Sequence, residues 1–126
     1  MIGYITLGTN DFTAAVKFYD ALMDHLGERR LWKTESMAAW GSSRDYPALC
    51  IAKPFDAEQA SIGNGGMVAL KVSSKEAVNA AHAKAISLGG TDEGAPGNRG
   101  EGGFYGGYFR DLDGNKLNVY IPANRA

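Results

Sequence analysis

The same succession of segments, a strand, a helix and then short strands, runs through this chain twice in units of about 60 residues, and that repetition restricts the fold more than any single motif. In the first unit Ile5 and Leu7 alternate with Tyr4 and Thr6, the period of a half-buried strand. Thr9, Asn10 and Asp11 end it, and Asn10 or Asp11 is placed to cap a helix. Phe12, Ala15, Val16, Tyr19, Leu22, Met23 and Leu26 then recur at three- and four-residue steps until Gly27 stops them. Three strand-like runs follow, at about 29–34, 36–40 and 48–52. After a linker over 54–65 the order restarts with a strand at 66–72, Ser73 or Ser74 as cap, and a helix from Lys75 to Leu88 that ends at Gly89 and Gly90. A short strand near Thr91, a glycine-rich stretch and strands at 103–111 and 116–121 complete it. This pattern predicts an α+β chain of two tandem βαβββ modules, about 1–55 and about 65–122, in a single domain over 1–126. Two such sheets, packed edge to edge, give an open, cup-shaped mixed β-barrel with the helices outside. Its concave side is the expected pocket for a small ligand.

Length and charge narrow the partners. A chain of 126 residues buries a sizeable core without staples. Thirteen basic and fourteen acidic residues leave a net charge of -1 with no block of like sign, which argues against a nucleic-acid partner. No apolar run approaches the roughly 20 residues of a membrane helix. Cys50 has no second cysteine to pair with, and the opening MIGYITLGTN lacks the basic start and apolar run of a signal peptide, so a cytoplasmic setting is expected. Nine of the seventeen glycines fall between Gly89 and Gly107, which reads as a turn-rich region with a flexible flap over the cup at 97–103.

Four stretches carry a family resemblance: LGTND (7–11) leading into AAVKFYDALM (14–23), GGMVALKVSS (65–74), AKAISLGG (83–90), and above all YFRDLDGNKLNVY (108–120). Together they resemble the vicinal oxygen chelate superfamily, which includes glyoxalase I, extradiol dioxygenases, and fosfomycin- and bleomycin-resistance proteins. For members that do chemistry the resemblance implies a divalent metal, generally held by a histidine on the first strand, a histidine opening the second module and a glutamate on the last strand. Those positions here are Tyr4, Met67 and Asn118; a fourth ligand would fall at about Leu49 or Cys50. A phenol, a thioether and an amide are poor donors for a hard divalent ion. The expectation is therefore no metal and no cofactor. The resemblance also implies a homodimer, which would cover exposed sheet edges.

Strand alternation directs Tyr4, Thr6, Met67, Ala69, Asn118 and Tyr120 into the cup. Trp40, Phe104, Tyr105 and Tyr108 are candidate aromatic walls, and Lys53, Arg99, Glu101 and Arg110 candidate charges at its rim. Such a lining suits an aromatic or amphipathic small molecule. The expected ligand-binding set is Tyr4, Thr6, Trp40, Lys53, Met67, Tyr105, Tyr108, Arg110 and Asn118. Tyr108, Glu101 and Tyr4 are the candidates for proton transfer if the chain is a metal-independent lyase or isomerase of the glyoxalase type. A third reading is a non-catalytic interaction protein whose cup is filled with side chains. His25 and His82 read as solvated helix residues, and Cys50, within an apolar strand, as an inert buried thiol. The stretch 97–103 lacks a phosphate-loop signature, and Asp111-Leu112-Asp113-Gly114 reads as a hairpin turn rather than a calcium loop.

Overall fold

A computed structural model describes residues 1–123 of the chain. The element order is β1 (Tyr4–Gly8), α1 (Phe12–His25), β2 (Arg29–Lys33), β3 (Met37–Gly41), β4 (Ala48–Ala52), β5 (Val68–Lys71), α2 (Lys75–Ser87), β6 (Thr91–Asn98), β7 (Tyr105–Arg110) and β8 (Lys116–Ile121). This is the βαβββ order twice over. The strands form two four-stranded sheets of identical topology, β1-β4-β3-β2 and β5-β8-β7-β6. In each, the first strand of the module runs parallel to its last, and the other pairings are antiparallel.

Local chemistry sets the helix ends. Asp11 caps α1 by accepting from the Ala14 N–H at 3.1 Å, and Gly27 leaves the helix with φ +82°, a left-handed value that glycine adopts without strain. Ser74 caps α2 by accepting from the Ala77 N–H at 3.0 Å. At Gly90 a Cβ would stand 2.8 Å from the Ala85 carbonyl oxygen and 2.9 Å from that of Arg110, so the chain passes between α2 and β7 only because no side chain is present. No described helix is long and apolar enough to cross a membrane.

Each sheet has one face covered by helix and one left open. On the first sheet Leu49, Ile51, Ala38 and Trp40 pack beneath α1. On the second, Leu117, Val119 and Phe109 pack beneath α2 with Val68 and Leu70. The apolar stripes of the two helices belong to one continuous core. His82 is part of that buried surface, 7% exposed, and not the solvated residue expected from its helix. Its Nε2 lies 3.1 Å from both the Asp92 carboxylate and the Tyr108 carbonyl oxygen, which ties α2 to β6 and β7. His25 is exposed, as expected.

The modules are joined by the turn between β7 and β8. Asp111, 5% exposed, receives four hydrogen bonds: from the Tyr19 hydroxyl at 2.6 Å, the Asp113 and Asn115 N–H groups at 2.9 Å each, and the Asn115 amide at 3.0 Å. The Asn115 amide also donates to the Gly8 carbonyl at the end of β1 at 2.9 Å, and Asp113 accepts from the Asn10 N–H at 2.8 Å. Because the modules meet through this turn and their helices, the sheets are not closed into a barrel within one chain. β1 and β5 each form one edge of their sheet, opposite β2 and β6, and neither packs on a strand of the other sheet. Strand β6 is longer than its glycine content suggests. It runs through eight residues with register shifts at Asp92/Gly94 and Gly94/Gly97, and the Arg99 N–H bonds to the Phe104 carbonyl at 2.8 Å. The expected flap at 97–103 is thus the end of a bulged hairpin, where glycines accommodate the shifts.

Candidate functional site

The open face of the second sheet is the richest in chemistry. Alternation along β7 places Phe104, Gly106, Tyr108 and Arg110 there, opposite the buried Phe109. Register with β8 adds Lys116, Asn118 and Tyr120, and β5 brings Ala69 and Lys71 beside them. Phe104 and Tyr120 stack with ring centroids 5.3 Å apart and planes 14° from parallel. The Tyr108 ring is flanked by two cations, the Arg99 guanidinium and the Lys116 ammonium, each 5.4 Å from its centroid. Arg110 is less available: its Nε pairs with Glu93 and its Nη1 donates to the Gly114 carbonyl at 2.9 Å.

Asn118 lies beneath this layer, 1% exposed, and its Nδ2 donates to the Gly107 carbonyl at 3.1 Å. A Cβ at Gly106 would approach that amide to 2.9 Å and the Phe104 ring to 3.1 Å, so Gly106 leaves the room both occupy. Met67 stands just before β5 and is 46% exposed.

On the open face of the first sheet, Tyr4, Thr6, Ala48, Cys50 and Ala39 share a side. Tyr4, Trp32, Arg44, Tyr46, Ala48 and Cys50 border a cavity of about 240 Å³. Tyr4 is 66% exposed. Burial pushes the Cys50 thiol up from its ordinary pKa, the direction of an unreactive group. A larger groove of about 1030 Å³ lies between the linker, residues 54–61, and the far end of this sheet at Thr6 and Met37. Asn10 holds the linker, donating to the Ala60 carbonyl at 3.1 Å and accepting from the Ala60 N–H at 2.7 Å.

Two expected ligand contacts, Trp40 and Tyr105, lie on helix-covered faces instead, and a third, Lys53, lies just beyond the end of β4. Trp40 is 1% exposed, 5.6 Å from the Tyr19 ring, with its indole N–H donating to Asp20 at 2.9 Å. One residue of register separates it from the open face, and the apolar underside of α1 claims it. Lys53 is exposed and borders the groove at Thr6 and the linker, with its ammonium 5.8 Å from the Phe12 ring centroid. Tyr105 packs toward α2, where its hydroxyl donates to Asn79 at 2.6 Å and the Lys75 ammonium lies 5.3 Å from its ring. Glu101 is exposed in the turn between β6 and β7. Tyr4 and Thr6 sit on one sheet, and Tyr108, Arg110, Asn118 and Met67 on or beside the other, so a single chain does not bring the whole set together. Sequence reasoning missed Trp32, Arg44, Lys71 and Lys116. Lys116 was legible from hairpin register once Tyr108 was placed, whereas Arg44 lies on a loop that no periodicity describes.

Two repeated modules, the 111–115 turn and the arrangement of strands match a known family. The model of the Glyoxalase/Bleomycin resistance protein/Dioxygenase superfamily matches residues 1–119. The crystal structure of a glyoxalase/bleomycin resistance protein from Albidiferax ferrireducens T118 superposes with a TM-score of 0.88 at 33% identity, covering 97% of this chain and 98% of that one. The chain belongs to this superfamily. More distant solved structures share the fold: a glyoxalase-related enzyme from Fulvimarina pelagi (TM-score 0.76, 19% identity, 97% and 88% of the two chains) and a genomically encoded fosfomycin resistance protein from Listeria monocytogenes (0.72, 17%, 98% and 93%). No curated protein matches the sequence.

The resemblance read from the sequence points to a divalent metal, and the residues present at those positions do not suit one. Among the described residues no three His, Cys, Asp or Glu side chains gather into a metal-binding group. Of the positions that resemblance points to, Tyr4 offers a phenol and Met67 a thioether, and the Asn118 amide presents its nitrogen to a backbone carbonyl.

Proposed function

We propose that this superfamily member binds a small aromatic or amphipathic organic molecule without a metal, and acts by holding it. The observation that carries the reading is the open face of the second sheet, where stacked Phe104 and Tyr120 and the cation-flanked Tyr108 stand over a buried amide, with no helix covering them. Aromatic surface beside a few fixed polar groups is the usual make-up of a small-molecule site. The proposed contacts are Tyr108, Asn118, Met67 and Arg110 on this side and Tyr4 and Thr6 on the other. The binding unit is a homodimer of single-domain chains. Its support is the pair of uncovered edges: β1 with Ile2, Tyr4 and Ile5 exposed by 49, 66 and 38%, and β5 beside Met67 and Ile62, exposed by 46 and 45%. Edge strands with apolar side chains are covered in stable proteins. Setting β1 of one copy against β5 of the other would bring the two open faces into one cleft. A cytoplasmic setting suits the unpaired, buried Cys50.

The test combines three measurements on purified protein. Light scattering should give a dimer that Ile5→Lys converts to a folded monomer; metal analysis should find no stoichiometric divalent ion; and a library of aromatic compounds should contain members that raise the Tm. A monomeric wild type, a stoichiometric metal, or an unresponsive Tm across the library would each remove the corresponding part of the reading.

A further inference from the structure

Positive charge is concentrated on the open face of the second sheet, although the chain as a whole carries a net charge of -1. Arg99, Lys116 and Lys71 stand there, and none of them takes part in the ion pairs found among the described residues, which are Arg30–Asp20, His82–Asp92 and Arg110–Glu93. The acidic residue on this face, Glu93, is engaged by Arg110, and Glu101 stands out at the neighbouring turn.

The position of Arg99 is built into the strand beneath it. A Cβ at Gly94 would lie 3.3 Å from one guanidinium nitrogen and 3.2 Å from the Tyr108 ring, and a Cβ at Gly97 would lie 3.1 Å from the other nitrogen. The two glycines therefore leave the space in which the guanidinium lies over Tyr108. The Ala95 carbonyl, 2.6 Å from Nη2, fixes its orientation. A guanidinium has five N–H donors, so this anchoring leaves others for a ligand. Lys116 reaches the same ring at 5.4 Å and contributes a second positive charge. On the first sheet the open face adds Arg44 at the cavity beside Tyr4, and no carboxylate borders that cavity.

We infer that the ligand is an organic anion: a planar apolar body that lies against Phe104, Tyr120 and Tyr108, with a carboxylate, phosphonate or sulfonate that meets Arg99 and Lys116. The inference rests on the proposal that the open faces bind a small molecule, and adds the sign of the ligand's charge. Cations held over an aromatic ring pair with an anionic group through charge-assisted hydrogen bonds, and they repel a cationic ligand of the same shape.

The test is calorimetric titration of the full chain with three probes of one shape: 1-naphthoate, neutral 1-naphthamide and cationic 1-naphthylmethylammonium. Naphthoate should bind about 10- to 100-fold tighter than the amide, the worth of a hydrogen bond to a charged group, and this advantage should shrink between about 0.05 and 0.5 M NaCl. Arg99→Gln and Lys116→Gln should each cut the advantage about tenfold. Arg30→Gln, whose partner Asp20 lies off this face, should change neither probe. The inference is overturned if the amide or the ammonium binds as tightly as naphthoate, or if the naphthoate advantage survives in both face variants. Binding of the amide alone would refute the charge assignment and leave the ligand-binding reading standing; failure of all three probes would refute both.

Discussion

Asn118→Asp tests whether the buried amide on β8 is satisfied within its own hairpin. The substitution keeps the shape and exchanges an N–H₂ donor for a carboxylate oxygen. In the native chain that donor lies 3.1 Å from the Gly107 carbonyl and the residue is 1% exposed. The variant loses one neutral hydrogen bond, about 1 kcal/mol, and places an acceptor against an acceptor in a site closed to water, about 1–3 kcal/mol more. The expected destabilisation at pH 7 is therefore about 2–4 kcal/mol. The sign of its pH dependence follows from burial. The folded-state pKa of the new carboxyl is raised above the unfolded value of about 3.9, and the protonated group recovers a donor. The deficit should thus be largest at neutral pH and shrink as the pH falls through the folded pKa toward 4. Urea unfolding of variant and wild type at pH 7 and pH 4.5, with unchanged m-values, measures it. A deficit under about 0.5 kcal/mol at pH 7 would mean that the side chain at 118 reaches solvent, and one that grows on acidification would mean that the carboxylate is favoured by nearby cations; with either result the account of a self-satisfied amide would fail.

Tyr19→Phe should cost about 1.5–3 kcal/mol by removing the hydroxyl that donates to Asp111 at 2.6 Å, as read by chemical denaturation. Burial, and then the Asp111 carboxylate, hold the Tyr19 phenol well above its usual pKa, so wild-type stability should decline as pH rises above the unfolded value of about 10; the phenylalanine variant should lack that component of the decline. Cys50, 2% exposed and with its thiol pushed up by burial, should resist a thiol reagent in the native protein and react fully in denaturant; fast native labelling would contradict its placement. Gly90→Ala should cost about 1–3 kcal/mol or more, because the new methyl meets two backbone carbonyl oxygens that cannot turn aside, and a neutral result would refute the close approach of α2 and β7.

The fold was legible because its signals are periodic. Asp11, Gly27, Ser74 and Gly89 mark the two helices, and a three- and four-residue apolar stripe lies between each pair. What periodicity leaves open is which of two sheet faces a helix will cover. Tyr4 and Thr6 could be assigned to the open face because Ile5 and Leu7 are plainly apolar, but Trp40 follows Ala38 and Ala39, which do not distinguish the sides. Tyr105 lies in a run of aromatics and glycines with the same ambiguity, and a partner on α2, Asn79, settles it. His82 was misread for a related reason. A polar residue within a helix suggests solvent until its partners, Asp92 and the Tyr108 carbonyl, are seen to come from strands 10 and 26 residues away.

The sequence signature at 108–120 serves two purposes that are physically separable. Asp111, Asp113 and Asn115 point toward β1 and α1, where they bond to Tyr19, Gly8 and Asn10 and fix one module on the other. Asn118, three residues on, faces the opposite side of the sheet and bonds only within its own hairpin. A change at 118 therefore leaves the junction untouched, whereas a change at 111 removes the acceptor of four hydrogen bonds and loosens the modules without touching the open face of the second sheet. For this reason the turn marks superfamily membership while saying nothing about metal chemistry. The residues that bear on the proposed ligand are those of the open face, where Arg99, seated over Tyr108 in the space left by Gly94 and Gly97, supplies a positive charge from the chain itself.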